Sequence, residues 1–340
     1  MMDRRTFGTL VGTGAVAATL AGVTAGCATD STSGRERLVD AATFGPLKQV
    51  KAGELNVGYV EAGPSDGPAA ILLHGWPYDI HSFAAVTPLL AAKGYRVIVP
   101  YLRGYGTTRF VSSSTPRAGE QAVFSLDVVA LMDALKIKNA VLAGFDWGAR
   151  AADIVAVLSP ERVKGLVSVG GYLIVDRKEA QEPLPPKTEH AWWYQYYFAT
   201  NRGQRGLERY RHDLTKIVWK TNSPTWHFDD ATFDRSAAAF DNPDFVPITI
   251  DNYRWRLGLA KSDKRYDDIE TRLARKPAIT VPTITLDGAL DPFTPPGNGS
   301  SYRGKFTGKY MHRTLKNIGH NVPQEAPAAF TQAVVDVGRL

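Results

Sequence analysis

The sequence predicts an α/β fold, with a mostly parallel sheet covered by helices on both faces and interrupted by a helical insertion. Three observations lead there. Short, largely apolar runs at 69–73, 95–100, 141–145 and 166–169 have the character of strands buried on both faces, since half-exposed strands would alternate. Segments with helical spacing lie between them, as at 125–135, where Leu126, Val129, Leu131, Met132 and Leu135 fall mainly on one face. After about residue 176 the texture changes: Pro183, Pro185 and Pro186 break the alternation, and an aromatic, helical stretch runs to about 262 before strand-like runs resume.

Taken in order, the runs 47–50 and 55–60 flank Ala52-Gly53-Glu54 and read as an opening hairpin. The strand at 69–73 ends in His74-Gly75-Trp76-Pro77, and the strand at 95–100 leads into Leu102-Arg103-Gly104-Tyr105-Gly106. The helix at 125–135 precedes the strand at 141–145, and the next helix begins near Trp147. Beyond the insertion, 279–286 and 310–315 read as strands and 325–337 as a closing helix. At 340 residues and 44% hydrophobic, the chain is long enough to bury one large core. The expected organisation is a core formed by 38–176 and 263–340, with 177–262 as a helical cap. The net charge is +6, but Lys and Arg are interleaved with Asp and Glu, which argues against a nucleic-acid partner.

Residues 1–27 read as an export signal. Arg4-Arg5 precede Thr6-Phe7-Gly8 and then a thinly apolar stretch interrupted by glycines. This resembles a twin-arginine signal, which implies the twin-arginine export machinery as a partner and a location outside the cytoplasm. The glycines weigh against a permanent membrane span. Residues 28–37 form a polar tether. Cys27 is the only cysteine, so no intramolecular disulfide can form. Thr24-Ala25-Gly26-Cys27 resembles a lipoprotein processing site, which implies a membrane tether through Cys27; cleavage after Ala25 is the competing outcome.

The chemistry is expected at Gly144-Phe145-Asp146-Trp147-Gly148, where a buried strand stops at a carboxylate held between two glycines. Gly-x-Asp-x-Gly resembles the nucleophile elbow of α/β-hydrolases, with aspartate in the serine position. A carboxylate there can displace a leaving group at saturated carbon and form an enzyme ester that water must hydrolyse. The competing role for Asp146 is capping the helix that begins near Trp147.

A nucleophile of this kind needs a base to activate water. Of the seven histidines, His320 in Asn317-Ile318-Gly319-His320-Asn321 follows the last expected strand and sits in a loop. A carboxylate must orient that histidine. Asp291 and Asp287 both lie near the end of the 279–286 strand; Asp291 is favoured, with Asp287 as a turn residue before Gly288. The order nucleophile, acid, histidine is that of α/β-hydrolases. The backbone amides of Trp76 and Trp147 are the expected oxyanion donors, with their indoles as walls of the pocket.

Together these motifs resemble the epoxide hydrolase branch of the α/β-hydrolase superfamily, from roughly Gly53 to the C-terminus. The resemblance implies two cap tyrosines that protonate the epoxide oxygen. Tyr194, in Tyr194-Gln195-Tyr196-Tyr197-Phe198, and Tyr253, before Arg254, match those positions. The alternative is that both belong to an aromatic cluster that packs cap onto core. The implied reaction opens a small hydrophobic epoxide to a diol through an ester on Asp146, with water as co-substrate, no cofactor and no metal. Dehalogenases, which would take an organohalide, share the aspartate, Trp147 and the histidine–acid pair. Haloalkane dehalogenases generally have Asn or Glu where Trp76 stands; haloacetate dehalogenases resemble the chain at Arg150 but carry arginine where Trp147 stands. Relatives commonly place an acid where Tyr101 stands, a departure expected to reshape the pocket floor. A ligand-binding protein on a hydrolase scaffold is the remaining alternative.

Overall fold

The apolar runs at 69–73 and 141–145 become adjacent central strands, and the loops leaving their C-terminal ends meet. In this computed structural model the described residues are 45–293 and 298–340. The expected signal at 1–27, the tether at 28–37 and Cys27 lie outside the described residues.

Among the described residues nine strands form one sheet: β1 (Lys48–Ala52), β2 (Leu55–Ala62), β3 (Ala69–Leu73), β4 (Arg96–Pro100), β5 (Arg109–Phe110), β6 (Ala140–Phe145), β7 (Val163–Val169), β8 (Thr283–Gly288) and β9 (Tyr310–Leu315). The spatial order is β1-β2-β4-β3-β6-β7-β8-β9, with β5 paired to β2. The expected opening hairpin is β1–β2, and the pairs of β2 are antiparallel. From β4 to β9 every neighbouring pair is parallel. The chain leaves β3 for β4 on one side and later returns to β6 on the other. That reversal opens a crevice at the C-terminal ends of β3 and β6, the usual ligand position in such sheets.

The helices are α1 (Val86–Ala91), α2 (Gln121–Ala134), α3 (Trp147–Leu158), α4 (Pro186–Ala191), α5 (Trp193–Ala199), α6 (Asn201–Asn222), α7 (Asp230–Ala237), α8 (Phe245–Arg256), α9 (Asp267–Leu273), α10 (Ser300–Arg303), α11 (Val322–Glu325) and α12 (Pro327–Val337). Against the sheet, α2 packs on α3 and α1 on α12, and both α3 and α12 cover β7. β6 and β8 are buried along their whole length; in β6 this goes with an unbroken apolar sequence, whereas β8 buries Thr283, Thr285 and Asp287 as well. Between β7 and β8 lie α4 to α9, with α5, α6 and α8 packed on one another.

Three boundaries differ from the sequence expectation, two of them through proline. The 279–286 run does not start as a strand, because Pro282 has no N–H for a ladder; β8 begins at Thr283 and Ile279 makes only an isolated bridge to Phe306. The closing helix is two helices. Pro327 disfavours helical geometry at the preceding residue, and Ala326 adopts φ −141°, ψ 59° between α11 and α12. α2 begins at Gln121, earlier than 125, because its first residues are themselves buried.

Candidate active site

Asp146 joins β6 to α3 with φ 52° and ψ −124°, a backbone conformation that L-residues rarely adopt. Close packing leaves the chain no other path. A Cβ on Gly144 would stand 2.7 Å from the Gly148 carbonyl carbon, and one on Gly148 would stand 2.1 Å from Leu73 O. On the facing loop, a Cβ on Gly75 would meet Asp146 Cβ at 2.4 Å. The glycines therefore let three backbone segments converge under the carboxylate. Asp146 occupies the N-cap position of α3, yet its side chain makes no capping hydrogen bond. It turns instead to the β3 loop, where the Trp76 amide donates to Oδ1 at 2.7 Å. Trp147, the first residue of α3, has an amide with no intrahelical acceptor.

His320 and Asp146 are brought together, with Nε2 3.7 Å from Oδ2, an ion-pair contact longer than a hydrogen bond. On its other side, His320 Nδ1 lies 2.8 Å from Asp291 Oδ2. The Phe293 amide donates to Asp291 Oδ1 at 2.9 Å, so both carboxylate oxygens have partners. Asp287 points elsewhere, accepting from the Tyr302 hydroxyl at 2.7 Å.

The loop holding His320 is fixed by a residue that sequence reasoning passed over. Glu325 accepts from the amides of Gly319 at 2.7 Å and Asn321 at 3.0 Å, and from Ser223 Oγ at 2.6 Å. The His320 amide itself donates to Asn222 O at 3.1 Å. A Cβ on Gly319 would stand 2.6 Å from Ser223 Cα, which accounts for the glycine before the histidine. Glu325 was legible only as a helix residue; nothing in its own neighbourhood announces that it clamps a loop.

A cavity of about 560 Å³ contains Asp146, Asp291, His320, Tyr194 and Tyr253 in its lining. Tyr194 from α5 stacks on Trp76 at 4.9 Å between ring centroids, and Tyr253 from α8 meets Tyr194 edge-on at 5.6 Å. Both tyrosines thus belong to an aromatic cluster while also reaching the cavity. Trp147 is in the cavity lining, but Trp76 is not, so its indole does not form the expected wall. Its indole needs a partner and donates to Thr249 Oγ1 at 3.1 Å, beneath the tyrosines. Tyr101 is not among the lining residues either; its ring packs over Gly106.

The charges oppose burial and overcome it. Burial pushes His320 down, but Asp291 and Asp146 raise it from 6.5 to about 10. Burial raises Asp146, but His320, Arg150 and the Trp76 amide bring it below the usual carboxylate value. Burial pushes both tyrosines well above an ordinary phenol, so they stay protonated and act as donors. His74 contrasts with His320. Burial lowers it to about 4, and its ring joins Gly75 O at 3.0 Å to the Leu102 amide at 3.1 Å as a neutral brace under the loop.

Comparison with known proteins places these features in a family. The model of the alpha/beta hydrolase fold matches residues 68–327. An epoxide hydrolase from Caballeronia sordidicola is 37% identical over 311 residues, covering 79% of this chain and 87% of that protein. Epoxide hydrolase 2 from Siraitia grosvenorii is 36% identical over 113 residues, a match spanning 33% of this chain and only 35% of that relative. A Klebsiella pneumoniae protein provisionally assigned as an epoxide hydrolase superposes with a TM-score of 0.86 at 60% identity, covering 88% of this chain and all of that one. By sequence and by fold, the chain belongs to the alpha/beta hydrolase fold family, in its epoxide hydrolase branch.

Proposed function

We propose that the protein opens epoxides to diols through a covalent ester on Asp146. One observation carries the reading: the Asp146 carboxylate has Oδ1 on the Trp76 amide and Oδ2 toward His320, in a cavity that also receives two protonated phenols. A halide departs without a proton, whereas an epoxide oxygen leaves as a strongly basic alkoxide and needs a donor. Paired tyrosines suit the second case.

Asp146 Oδ2 attacks a ring carbon, the ring C–O bond breaks, and the departing oxygen takes a proton from Tyr194 or Tyr253. The ester that forms no longer carries the Asp146 charge. With one of its two flanking carboxylates gone, the His320 imidazolium becomes more acidic and returns a proton to the tyrosinate. The neutral imidazole then removes a proton from water as the water oxygen adds to the ester carbonyl carbon. Negative charge develops on Oδ1 at the Trp76 and Trp147 amides. Collapse breaks the acyl C–O bond and releases the diol, whose second oxygen, formerly Asp146 Oδ2, takes the remaining water proton from the new carboxyl group. The imidazolium and the Asp146 carboxylate are restored, and the net change is epoxide plus water to diol.

The test is a His320→Gln variant exposed to a terminal epoxide. The Asp146 peptide should gain the mass of the epoxide and hold it; an unmodified peptide from folded protein would overturn the covalent route. Assays of the unaltered enzyme on epoxides and organohalides separate diol formation from halide release, and binding without turnover would favour a receptor.

The location completes the proposal. The Arg4-Arg5 signal sends the folded protein out of the cytoplasm through the twin-arginine machinery, and Cys27 is either the point of lipid attachment or a residue close to the cleavage site. Cell fractionation of an Arg4→Lys, Arg5→Lys variant should show retention in the cytoplasm.

A further inference from the structure

Two guanidinium groups face the same cavity as Asp146, and the chemistry derived above uses neither. Arg150 lies one helical turn beyond Asp146 on α3, with its amide bonded to Asp146 O at 3.0 Å. Arg256 lies one turn beyond Tyr253 on α8. Residues three and four apart share a helix face, so each arginine projects from the same side as a reacting group, displaced by about 5 Å along its helix. Both arginines line the cavity that holds Asp146, Tyr194 and Tyr253.

Neither guanidinium has a carboxylate partner among the described residues. Arg150 is buried, and its Nε donates to Leu173 O at 2.9 Å, a neutral acceptor that leaves the charge uncompensated. Arg256 is half-buried and rests on the Trp192 ring at 4.6 Å, a contact that orients the group without neutralising it. The other charged groups of the lining are otherwise engaged. Asp176 accepts from the Lys178 amide at 2.9 Å, Glu179 pairs with Lys276, Asp287 accepts from Tyr302, and Asp291 holds His320. Glu182 is exposed at the rim. Asp146 is the carboxylate whose charge reaches both arginines, and it is already opposed by the His320 imidazolium. Burial and the charge of Arg150 bring Arg256 down to about 10, the direction expected of a cation that lacks a counter-ion.

We infer that the substrate is an anionic epoxide, bearing a carboxylate a few bonds from the oxirane, and that Arg150 and Arg256 bind this carboxylate. The inference rests on the proposed epoxide opening and names its substrate class. Two forked donors bind a carboxylate with directional, charge-assisted hydrogen bonds, and they would place the ring between Asp146 and the tyrosines.

The experiment compares an epoxyhexanoate with a terminal oxirane against its methyl ester, which has the same ring and chain but no charge. The unaltered enzyme should favour the acid in kcat/KM by about tenfold or more. Arg256→Met should bring that ratio near one, and Arg256→Lys should restore part of it, which a purely structural role for Arg256 would not produce. Diol formed equally well from acid and ester by the unaltered enzyme would overturn the anionic class and leave the Asp146 chemistry standing. If neither compound is opened, the epoxide reading fails instead, and calorimetry with hexanoate decides the subsite. Binding that weakens in Arg256→Met supports it; no binding to the unaltered enzyme overturns it.

Discussion

The Trp76 amide and His320 Nε2 divide the Asp146 carboxylate between them: Oδ1 accepts from the amide at 2.7 Å, and Oδ2 lies 3.7 Å from the imidazole. Attack by water on the ester carbonyl then leaves the water oxygen on the enzyme. In a single turnover with enzyme in excess in heavy-oxygen water, the label should appear in the Asp146 peptide and be absent from the diol. Label in the diol would mean that water attacks the ring directly.

The pairing of His320 with Asp291 separates the two acids of the loop. Asp291→Asn should slow ester hydrolysis by about a hundredfold to ten-thousandfold, by the analogy of acids that orient a catalytic histidine. Rapid-quench measurement should then show the ester accumulating. Asp287→Asn weakens the bond to Tyr302, so its first effect should be on thermal stability, read as a lower Tm.

Tyr194 and Tyr253 reach the cavity together, and burial keeps both phenols protonated. Removing either hydroxyl should slow ester formation, and removing both should cost about a hundredfold to ten-thousandfold, the usual contribution of general acid catalysis. Stopped-flow fluorescence of Trp147 in Tyr194→Phe, Tyr253→Phe and the double variant measures that step apart from hydrolysis.

His320 gives a pH signature of known sign. Its folded value of about 10 exceeds the ordinary 6.5, so the folded state binds the proton more tightly. The stabilisation is complete below pH 6.5 and is lost as pH rises through about 10. Chemical denaturation across that range should show stability falling on the alkaline side. Asp146→Asn removes one of the two flanking charges, and nuclear magnetic resonance of the imidazole should report a lower value. An unchanged value would remove the charge switch on which the hydrolysis step depends.

What could be read in advance follows from how local each signal is. Asp146 and His320 stand at strand ends inside short glycine-bearing motifs, and the constraints that require those glycines act within a few residues or on one neighbouring loop. The parallel sheet is visible in the sequence because its central strands β3 and β6 are uniformly apolar. Asp291 and Asp287 could be ranked but not separated, since the choice depends on Tyr302 of α10 claiming one of them. Glu325 stayed hidden because its partners lie on the loop before it and at the end of α6. Arg256 carries no motif; only the packing of α8 over α3 brings it into the same hollow as Arg150. Trp76 was assigned its backbone role from the loop position, while the burial of its ring depended on Thr249, far away in the sequence.

The tie between the His320 amide and Asn222 O, reinforced where Glu325 accepts from Ser223, has a mechanical consequence. The imidazole is anchored to the far end of α6 as well as to the sheet. A tilt of that long helix would carry the water-activating base with it and widen the gap to Asp146. Loosening the roof and disarming the hydrolytic half of the reaction are, for this molecule, a single movement.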